Sequence, residues 1–253
     1  MKTYKLYLGD CLDTMETLPE KTIDAIITDP PYCSGGRQQA SARNVVTKVD
    51  GRQPDEWFLG DNMGTDTYVR FMRQIARQCM RLCKLGAHGY VFTDWRQYTN
   101  IVTAWESLGW SLRGCIVWDK ARGGAMGSFW RNNHEWVCVF TKGNPTPLPN
   151  GSFYNTWSGT KKQGGVHPTE KPIGLLEYIA SAVDGIILDP FMGSGTTGVA
   201  AAKVGNSFVG IEQDKVYFDV ADDRIKAAYG DFEETKLELF GNKGLGRSRS
   251  RRD

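Results

Sequence analysis

Within four positions, Asp29-Pro30-Pro31-Tyr32 combines a carboxylate, two proline rings and an aromatic side chain. Proline holds φ near −65° and lacks an N–H, so this segment is stiff and its prolines present only carbonyl acceptors. A carboxylate beside an outward-facing carbonyl suits gripping both hydrogens of an –NH2 group. The tyrosine ring beside it can stack on a flat heterocycle. A second chemically dense segment lies 160 residues later, Asp189-Pro190-Phe191-Met192-Gly193-Ser194-Gly195-Thr196-Thr197. Gly193 and Gly195 allow close backbone approach, and Thr196 stands where it can cap a helix. Glu212 follows Asp189 by twenty-three residues and ends the apolar run 207–211, where an acid in a doubly wound fold binds ribose hydroxyls. The third glycine of the dinucleotide fingerprint is missing, and no Gly-Lys-Ser/Thr is present. A triphosphate cradle is therefore excluded, and a nucleoside without a pyrophosphate fits better.

The elements that must position these segments are legible as an alternation. Apolar or β-branched runs at 4–8, 23–28, 87–93, 111–118, 134–141, 185–188 and 207–211 read as seven strands. Helix-length amphipathic runs at 11–18, 67–84, 95–107, 172–183, 196–204 and 214–228 separate most of them. Such alternation predicts a doubly wound, mostly parallel seven-stranded α/β sheet with helices on both faces. Ile23–Thr28 is continuously apolar but for Asp24 and Thr28, as in a strand covered on both sides. Both dense segments follow such buried strands, and open α/β sheets bind ligands at the carboxyl edge. A polar insert at 33–66, expected to be mobile, and a Gly/Pro/Asn/Lys-rich stretch at 142–166 interrupt the pattern. The last thirteen residues carry five basic groups against one acid and read as a disordered basic arm. One domain over 1–240 with a tail at 241–253 is expected.

Composition narrows the classes. The chain of 253 residues has a formal charge of +2, 40% apolar residues and 24% charged ones. It is no polycation, so a nucleic-acid surface must be a local patch. No run of 18 apolar residues is present and the first ten positions hold no signal-like core, so a cytoplasmic protein without a membrane segment is expected. The six cysteines are read as thiols, and no regular metal-ligand spacing points to a metal.

The pairing of Asp29-Pro30-Pro31-Tyr32 with the Asp189–Thr197 segment resembles the amino-group DNA methyltransferases that use S-adenosylmethionine. The order, with the catalytic motif first and the cofactor motif near the C-terminus, is similar to the permuted β class. Leu8-Gly9-Asp10-Cys11-Leu12, Trp118-Asp119-Lys120, His134-Glu135, Phe140-Thr141-Lys142-Gly143 and His167-Pro168-Thr169-Glu170-Lys171-Pro172 extend the resemblance over nearly the whole chain. The resemblance implies a Rossmann-like methyltransferase sheet and S-adenosylmethionine as cofactor. It also implies DNA as partner and a homodimer as one assembly, although no dimer face is legible. It assigns Asp29, Pro30, Pro31 and Tyr32 to catalysis. Asp10, Thr169, Lys171, Asp189, Phe191, Gly193, Ser194, Gly195, Thr196 and Glu212 go to cofactor binding. The resemblance further implies that the acceptor nucleotide is flipped out of the duplex onto Tyr32, with its amine held by Asp29 and the Pro30 carbonyl. Asp at the first motif position is commoner in enzymes acting on N6 of adenine, and Ser in those acting on N4 of cytosine.

Residues 120–171 hold seven basic groups against two acids, interleaved with aromatic rings, which suits a nucleic-acid groove. Arg122, Trp130, Arg131, Lys161 and Lys162 are the candidate contacts. Arg70, Arg73, Arg77, Arg81 and Lys84 recur at helical spacing as a second basic stripe, either a solvated face or a phosphate contact. The interval 143–166, where the family carries its target-recognition region, has only 24 residues. A short or relaxed target sequence, or one read partly by the 33–66 insert, is therefore expected, and a compact, loosely specific enzyme would suit a phage or a restriction–modification setting. The competing readings are an N4-cytosine enzyme, an RNA or protein-glutamine methyltransferase, a silent nucleic-acid-binding subunit and a nicotinamide oxidoreductase. The last lacks its GxGxxG, and the silent subunit is disfavoured because Asp29, Tyr32 and both glycines are present.

Overall fold

The structure, a computed structural model, describes residues 2–32, 63–121, 130, 132–149, 151–160 and 170–241. The insert expected at 33–66 lies outside these residues except at its end, as does the basic tail beyond 241. The strands are β1 (Tyr4–Leu8), β2 (Ile23–Thr28), β3 (Cys83–Thr93), β4 (Trp110–Asp119), β5 (His134–Lys142), β6 (Thr156–Ser158), β7 (Ile186–Asp189) and β8 (Ser207–Glu212). The helices are α1 (Cys11–Thr17), α2 (Thr65–Leu82), α3 (Tyr98–Glu106), α4 (Ile173–Ala180), α5 (Thr196–Lys203) and α6 (Lys215–Gly241).

All strands join one sheet in the order β1-β8-β7-β2-β3-β5-β4-β6. Five of its strands, from β1 to β3 in that order, run parallel, β5 is antiparallel to both β3 and β4, and β6 returns parallel to β4. The sheet thus has eight strands rather than the seven expected. The extra one, Thr156–Ser158, is three residues long and sits in the Gly/Pro-rich stretch, too short for a hydrophobic period to register. Val117 N–H donates to Asn155 O at 2.9 Å and Trp118 Nε1–H to Gly159 O at 2.9 Å, so this short edge strand is fixed by its neighbours.

Helices cover both faces. One core packs α1, α2 and α3 on the sheet, with Met15, Met72, Ile75, Trp105 and Phe140 fully buried. The other packs α4, α5 and α6, with Leu175, Ile187, Ala201 and Ile225 buried. The buried face of α2 (Tyr68, Met72, Ile75, Ala76, Cys79, Leu82) repeats every three or four residues, the spacing of one helical stripe. On its polar side the basic stripe divides. Arg81 donates to Leu18 O and Met15 O and so ties α2 to the end of α1, Lys84 pairs with Asp24, and Arg70 pairs with Asp66. Arg73 and Arg77 are exposed. Part of what read as a phosphate-facing stripe is therefore bracing within the fold.

The first core is centred on Trp105, whose ring stacks on Phe140 at 5.0 Å and tilts against Trp110 at 4.9 Å. Gly89 in β3 makes room for it, since a Cβ there would stand 3.0 Å from the Trp105 ring. Trp105→Ala is expected to cost about 3–5 kcal/mol of folding stability, as large-to-small substitutions of a buried aromatic do. Urea unfolding followed by circular dichroism measures the loss.

Candidate active site

β2 and β7 are neighbours in the centre of the sheet, with Ala25 opposite Ile187 and Ile26 opposite Leu188. Parallel pairing carries both strands to the same edge, so Asp29-Pro30-Pro31-Tyr32 and the turn after Asp189 leave the sheet side by side. Thr28 Oγ1 donates to Asp189 Oδ1 at 2.8 Å across this junction. The same oxygen accepts from Phe191 N–H at 3.0 Å, which shapes the turn. Burial pushes Asp189 up to about 7, despite the hydroxyls of Thr197 and Thr28 that favour its charged form.

Beside this junction five side chains form a closed polar cluster. Lys171 Nζ lies 2.9 Å from Asp29 Oδ2, 2.9 Å from Glu135 Oε2 and 3.0 Å from the Tyr32 hydroxyl. Lys120 Nζ meets the other Glu135 oxygen, Oε1, at 2.6 Å. The Lys171 side chain is only 9% exposed, and its Nζ also stands 5.0 Å from the Tyr32 ring centre and 5.4 Å from that of Phe92. Burial alone would pull its pKa down, but Asp29 and Glu135 outweigh it and hold the ammonium above its ordinary value. Burial would raise Glu135, yet Lys171 and Lys120 bring it down to about 2. Glu135 therefore stabilises the fold above the ordinary carboxylate range, a contribution lost as pH falls toward 2. For Asp29 burial wins over Lys171, and its pKa is raised. Tyr32 is also raised, first by burial and then by Asp29 and Glu135, so it stays a phenol. Asp29 Oδ1 is buried and has no hydrogen-bond partner among the described residues.

On the β7–β8 side, Gly193 N–H donates to Glu212 Oε2 at 3.0 Å and Asp214 N–H to Glu212 Oε1 at 2.8 Å. The two glycines of the turn do different work. Gly195 has φ +83°, and a Cβ there would stand 2.9 Å from Ala221 Cβ and 3.0 Å from Ile225 Cδ1, so it exists for the close packing of α6. Gly193 has φ +51°, and a Cβ there would meet nothing within 4 Å. It borders open space at the strand edge. Asp10 N-caps α1 through Leu12 and Asp13 N–H, next to Gly9, whose N–H donates to Glu212 O. Phe191 packs against Phe71 with ring centres 5.9 Å apart.

Several sequence expectations shift here. Lys171, expected with the cofactor residues, stands against Asp29. Thr196, expected to cap α5, makes no cap; Gly195 occupies that position, and the Thr196 hydroxyl donates to Glu170 Oε1 at 2.8 Å. Arg224 binds Glu170 and both the carbonyl and hydroxyl of Ser194. Ser194 and Thr196 are thus bound into a brace between the turn and α6. Pro30 is buried, while Pro31 is only partly so. Trp130 is exposed. Arg122, Arg131, Lys161, Lys162 and Thr169 lie outside the described residues. Glu135 received no role of its own from the sequence and Lys120 only a place in the basic stretch 120–171, though a glutamate in the β-rich run 134–141 was a signal. Trp95, half exposed at the end of β3 with Arg96 over its ring at 5.1 Å, also went unnoticed.

The DNA methylase family N6_N4_Mtase matches residues 23–223, a span holding both motif segments and the whole polar cluster. The chain belongs to this DNA methylase family. YubD of Escherichia coli (strain K12), by name a proposed methylase, is 30% identical over 226 residues, covering 87% of this chain and 88% of YubD. The type II methyltransferase M2.MboI of Moraxella bovis is 26% identical, covering 87% of this chain and 86% of its own. Among solved structures, the M1.HpyAVI–SAM complex superposes with a TM-score of 0.65 at 23% identity, covering 88% of this chain and 99% of that one. The cytosine-N4-specific PvuII DNA methyltransferase gives 0.64 at 14% identity, covering 92% and 94%. At these identities the two structures establish a shared fold. The methylase is thus an α/β enzyme of the DNA-methyltransferase architecture.

No helix among the described residues is long and apolar enough to cross a membrane. In the methylase, Gly195→Ala is expected to lower folding stability by about 2–4 kcal/mol through backbone strain and overpacking on α6. Gly193→Ala should bear the backbone strain alone, about 1–2 kcal/mol; paired denaturation curves compare them. A raised Asp189 favours the fold while protonated, and that advantage fades as pH rises from about 4 through 7. Asp189→Asn should therefore gain stability relative to the native chain over that window, by roughly 2–4 kcal/mol. Melting temperatures at pH 5 and pH 8 check the sign.

Proposed function

We propose that this DNA methyltransferase uses S-adenosylmethionine to methylate N6 of adenine in DNA. The observation that carries the reading is the buried Asp29 Oδ1, unpartnered among the described residues, at the head of the Pro30-Pro31 segment. An orphaned buried carboxylate oxygen calls for a donor, and an exocyclic amine supplies one. Asp at the head of the motif favours adenine, in line with the resemblance read from the sequence.

The residues on the β7–β8 side fit the proposed cofactor. The bare Cα of Gly193 leaves space that a side chain would fill, and Glu212 offers a carboxylate, only partly buried, toward ribose hydroxyls. We assign Asp10, Phe191, Gly193 and Glu212 to hold it, with Thr169 joining from outside the described residues. Asp189, Ser194, Gly195 and Thr196 shape and brace that turn. When bound, S-adenosylmethionine supplies an electrophilic methyl group next to the acceptor amine.

The work of the chain's own residues follows from their geometry. Asp29 Oδ1 and the Pro30 carbonyl oxygen accept the two amine hydrogens, which turns the nitrogen lone pair away from them and toward the donor side. The Asp29 carboxylate would stabilise the positive charge that grows on nitrogen as its lone pair takes the methyl carbon and the carbon–sulfur bond breaks, its electron pair remaining on the departing thioether sulfur. The excess proton leaves the nitrogen for the carboxylate and then water. Tyr32, fixed at its hydroxyl by Lys171 and Glu135, offers a ring on which the flipped base stacks. Residues 1–240 act as one catalytic domain.

A short or relaxed target sequence fits the way the interval after β5 is held down. Thr146 N–H donates to Gly86 O and His88 Nε2 meets Thr146 O, while the Tyr178 hydroxyl donates to Tyr154 O. With β6 taken into the sheet, the described residues between β5 and β6 leave a short surface loop there, and the 33–66 insert is the other candidate reader. Trp130 and the basic residues Arg122, Arg131, Lys161 and Lys162 are assigned to the DNA backbone and its bases.

Asp29→Ala should leave cofactor affinity near the native value while methyl transfer falls by about 10³-fold or more. Labelled S-adenosylmethionine with adenine-only and cytosine-only duplex regions, followed by nucleoside mass spectrometry, identifies the acceptor. N6-methyladenine is expected, and N4-methylcytosine in its place would overturn the adenine assignment. Glu212→Ala should weaken cofactor binding by about tenfold or more, the worth of a charged hydrogen bond.

A further inference from the structure

We infer that Lys171 is a positioning residue for the transfer step, its ammonium locking Asp29 so that Oδ1 alone faces the acceptor amine. The inference rests on the reading that Asp29 holds that amine. A lysine ammonium has three hydrogens and no acceptor. Here three oxygens surround it at 2.9, 2.9 and 3.0 Å, from Asp29, Glu135 and Tyr32. Every donor is used, and each partner belongs to the proposed amine grip or supports it. The terminal torsion of an aspartate is broad, so an unrestrained carboxylate would sweep through many orientations. A bond to Oδ2 removes that freedom and leaves the other oxygen free.

The surroundings are arranged for this task. A buried ammonium is costly unless paired, and a buried pair is costly unless its remaining valences are met. Glu135 supplies the second negative charge, and Lys120 on its far oxygen brings the cluster to two acids and two bases. The Tyr32 and Phe92 rings pack about the Lys171 ammonium. Pro172, at the N-cap of α4 with φ −58°, fixes the chain immediately after Lys171. Three separate segments meet at this nitrogen, the end of β2, the start of β5 and the entry to α4, and Lys120 at the end of β4 backs them through the far oxygen of Glu135. Asp94, at the end of β3, adds negative potential at Tyr32, and Asp189, at the end of β7, feels the charge of Asp29.

The test compares Asp29→Asn, Lys171→Met, Glu135→Gln and the double variant Lys171→Met/Glu135→Gln in the full chain. S-adenosylmethionine binding, thermal unfolding and the single-turnover rate against pH are measured for each. Lys171→Met is expected to bind S-adenosylmethionine within about twofold of native and to lose about a hundredfold in rate, the usual penalty for a misplaced reacting group. Its acid limb should move to higher pH, because the cation that lowers the Asp29 pKa is gone. Glu135→Gln keeps an acceptor for Lys171 but removes a charge that raises Asp29, so its acid limb should move to lower pH with a smaller loss of rate. Opposite shifts are not produced by loosened packing. If Lys171→Met leaves two facing carboxylates that prevent folding, the double variant removes that repulsion. It should fold and still show the hundredfold loss. A rate within about threefold of native in either Lys171 variant, unmoved acid limbs, or a loss confined to S-adenosylmethionine affinity would overturn the inference. Asp29→Asn at native rate would instead sink the amine-holding reading itself.

Discussion

Everything at this site depends on the lateral pairing of β2 with β7. It joins strands 160 residues apart in the chain, and the hydrogen bond from Thr28 to Asp189 seals their ends. Backbone pairing sets the relative height of the two loops, and the buried side-chain bond keeps them from splaying. The arrangement charges a carboxylate with a structural duty in a dry place, which is why Asp189 has so high a pKa. Its neighbour in purpose, Asp29, is treated differently: one oxygen is held by an ammonium and the other is left bare. Of two acids at the same edge of adjacent strands, one thus serves as rivet and the other keeps an open oxygen for the proposed grip.

The charge economy of the cluster explains its composition. A single buried carboxylate would tend to neutralise itself by taking a proton. Adding Lys171 alone would bind that carboxylate tightly and dull it. Glu135 shares the ammonium and Lys120 in turn satisfies Glu135, so Asp29 stays exposed to competing influences and its pKa lies above rather than below the ordinary range. A carboxylate in that condition both accepts hydrogen bonds strongly and takes up a proton readily, as the proposed transfer to an amine requires.

Much of the fold was legible in the sequence because alternation of buried strands with amphipathic helices is a periodic signal. Ile23–Thr28 and 207–211 announced themselves, and the carboxyl-edge rule then located both motif loops without any contact information. The thirteen residues added to α6 beyond 228 and the three-residue β6 carried no comparable signal. What the sequence could not disclose was the partnership of single side chains. Lys171 shares a motif with Thr169 and Glu170, and local order suggested a shared task. In the structure Glu170 turns to Thr196 and Arg224 while Lys171 turns to Asp29. The two glycines of the turn after β7 looked equivalent for the same reason. Only the position of α6 separates the one that accommodates a helix from the one that borders open space.

The tethering of the segment between β5 and β6 has an evolutionary corollary. Its two ends are pinned, near Thr146 by Gly86 and His88 and near Tyr154 by Tyr178. Between those anchors no strand register and no cluster residue depends on the number of amino acids. Lengthening a surface loop costs conformational entropy only as the logarithm of its length. A lineage built on this scaffold is therefore free to lengthen the chain at that point, or to shorten it, while the polar cluster around Lys171 is inherited unchanged.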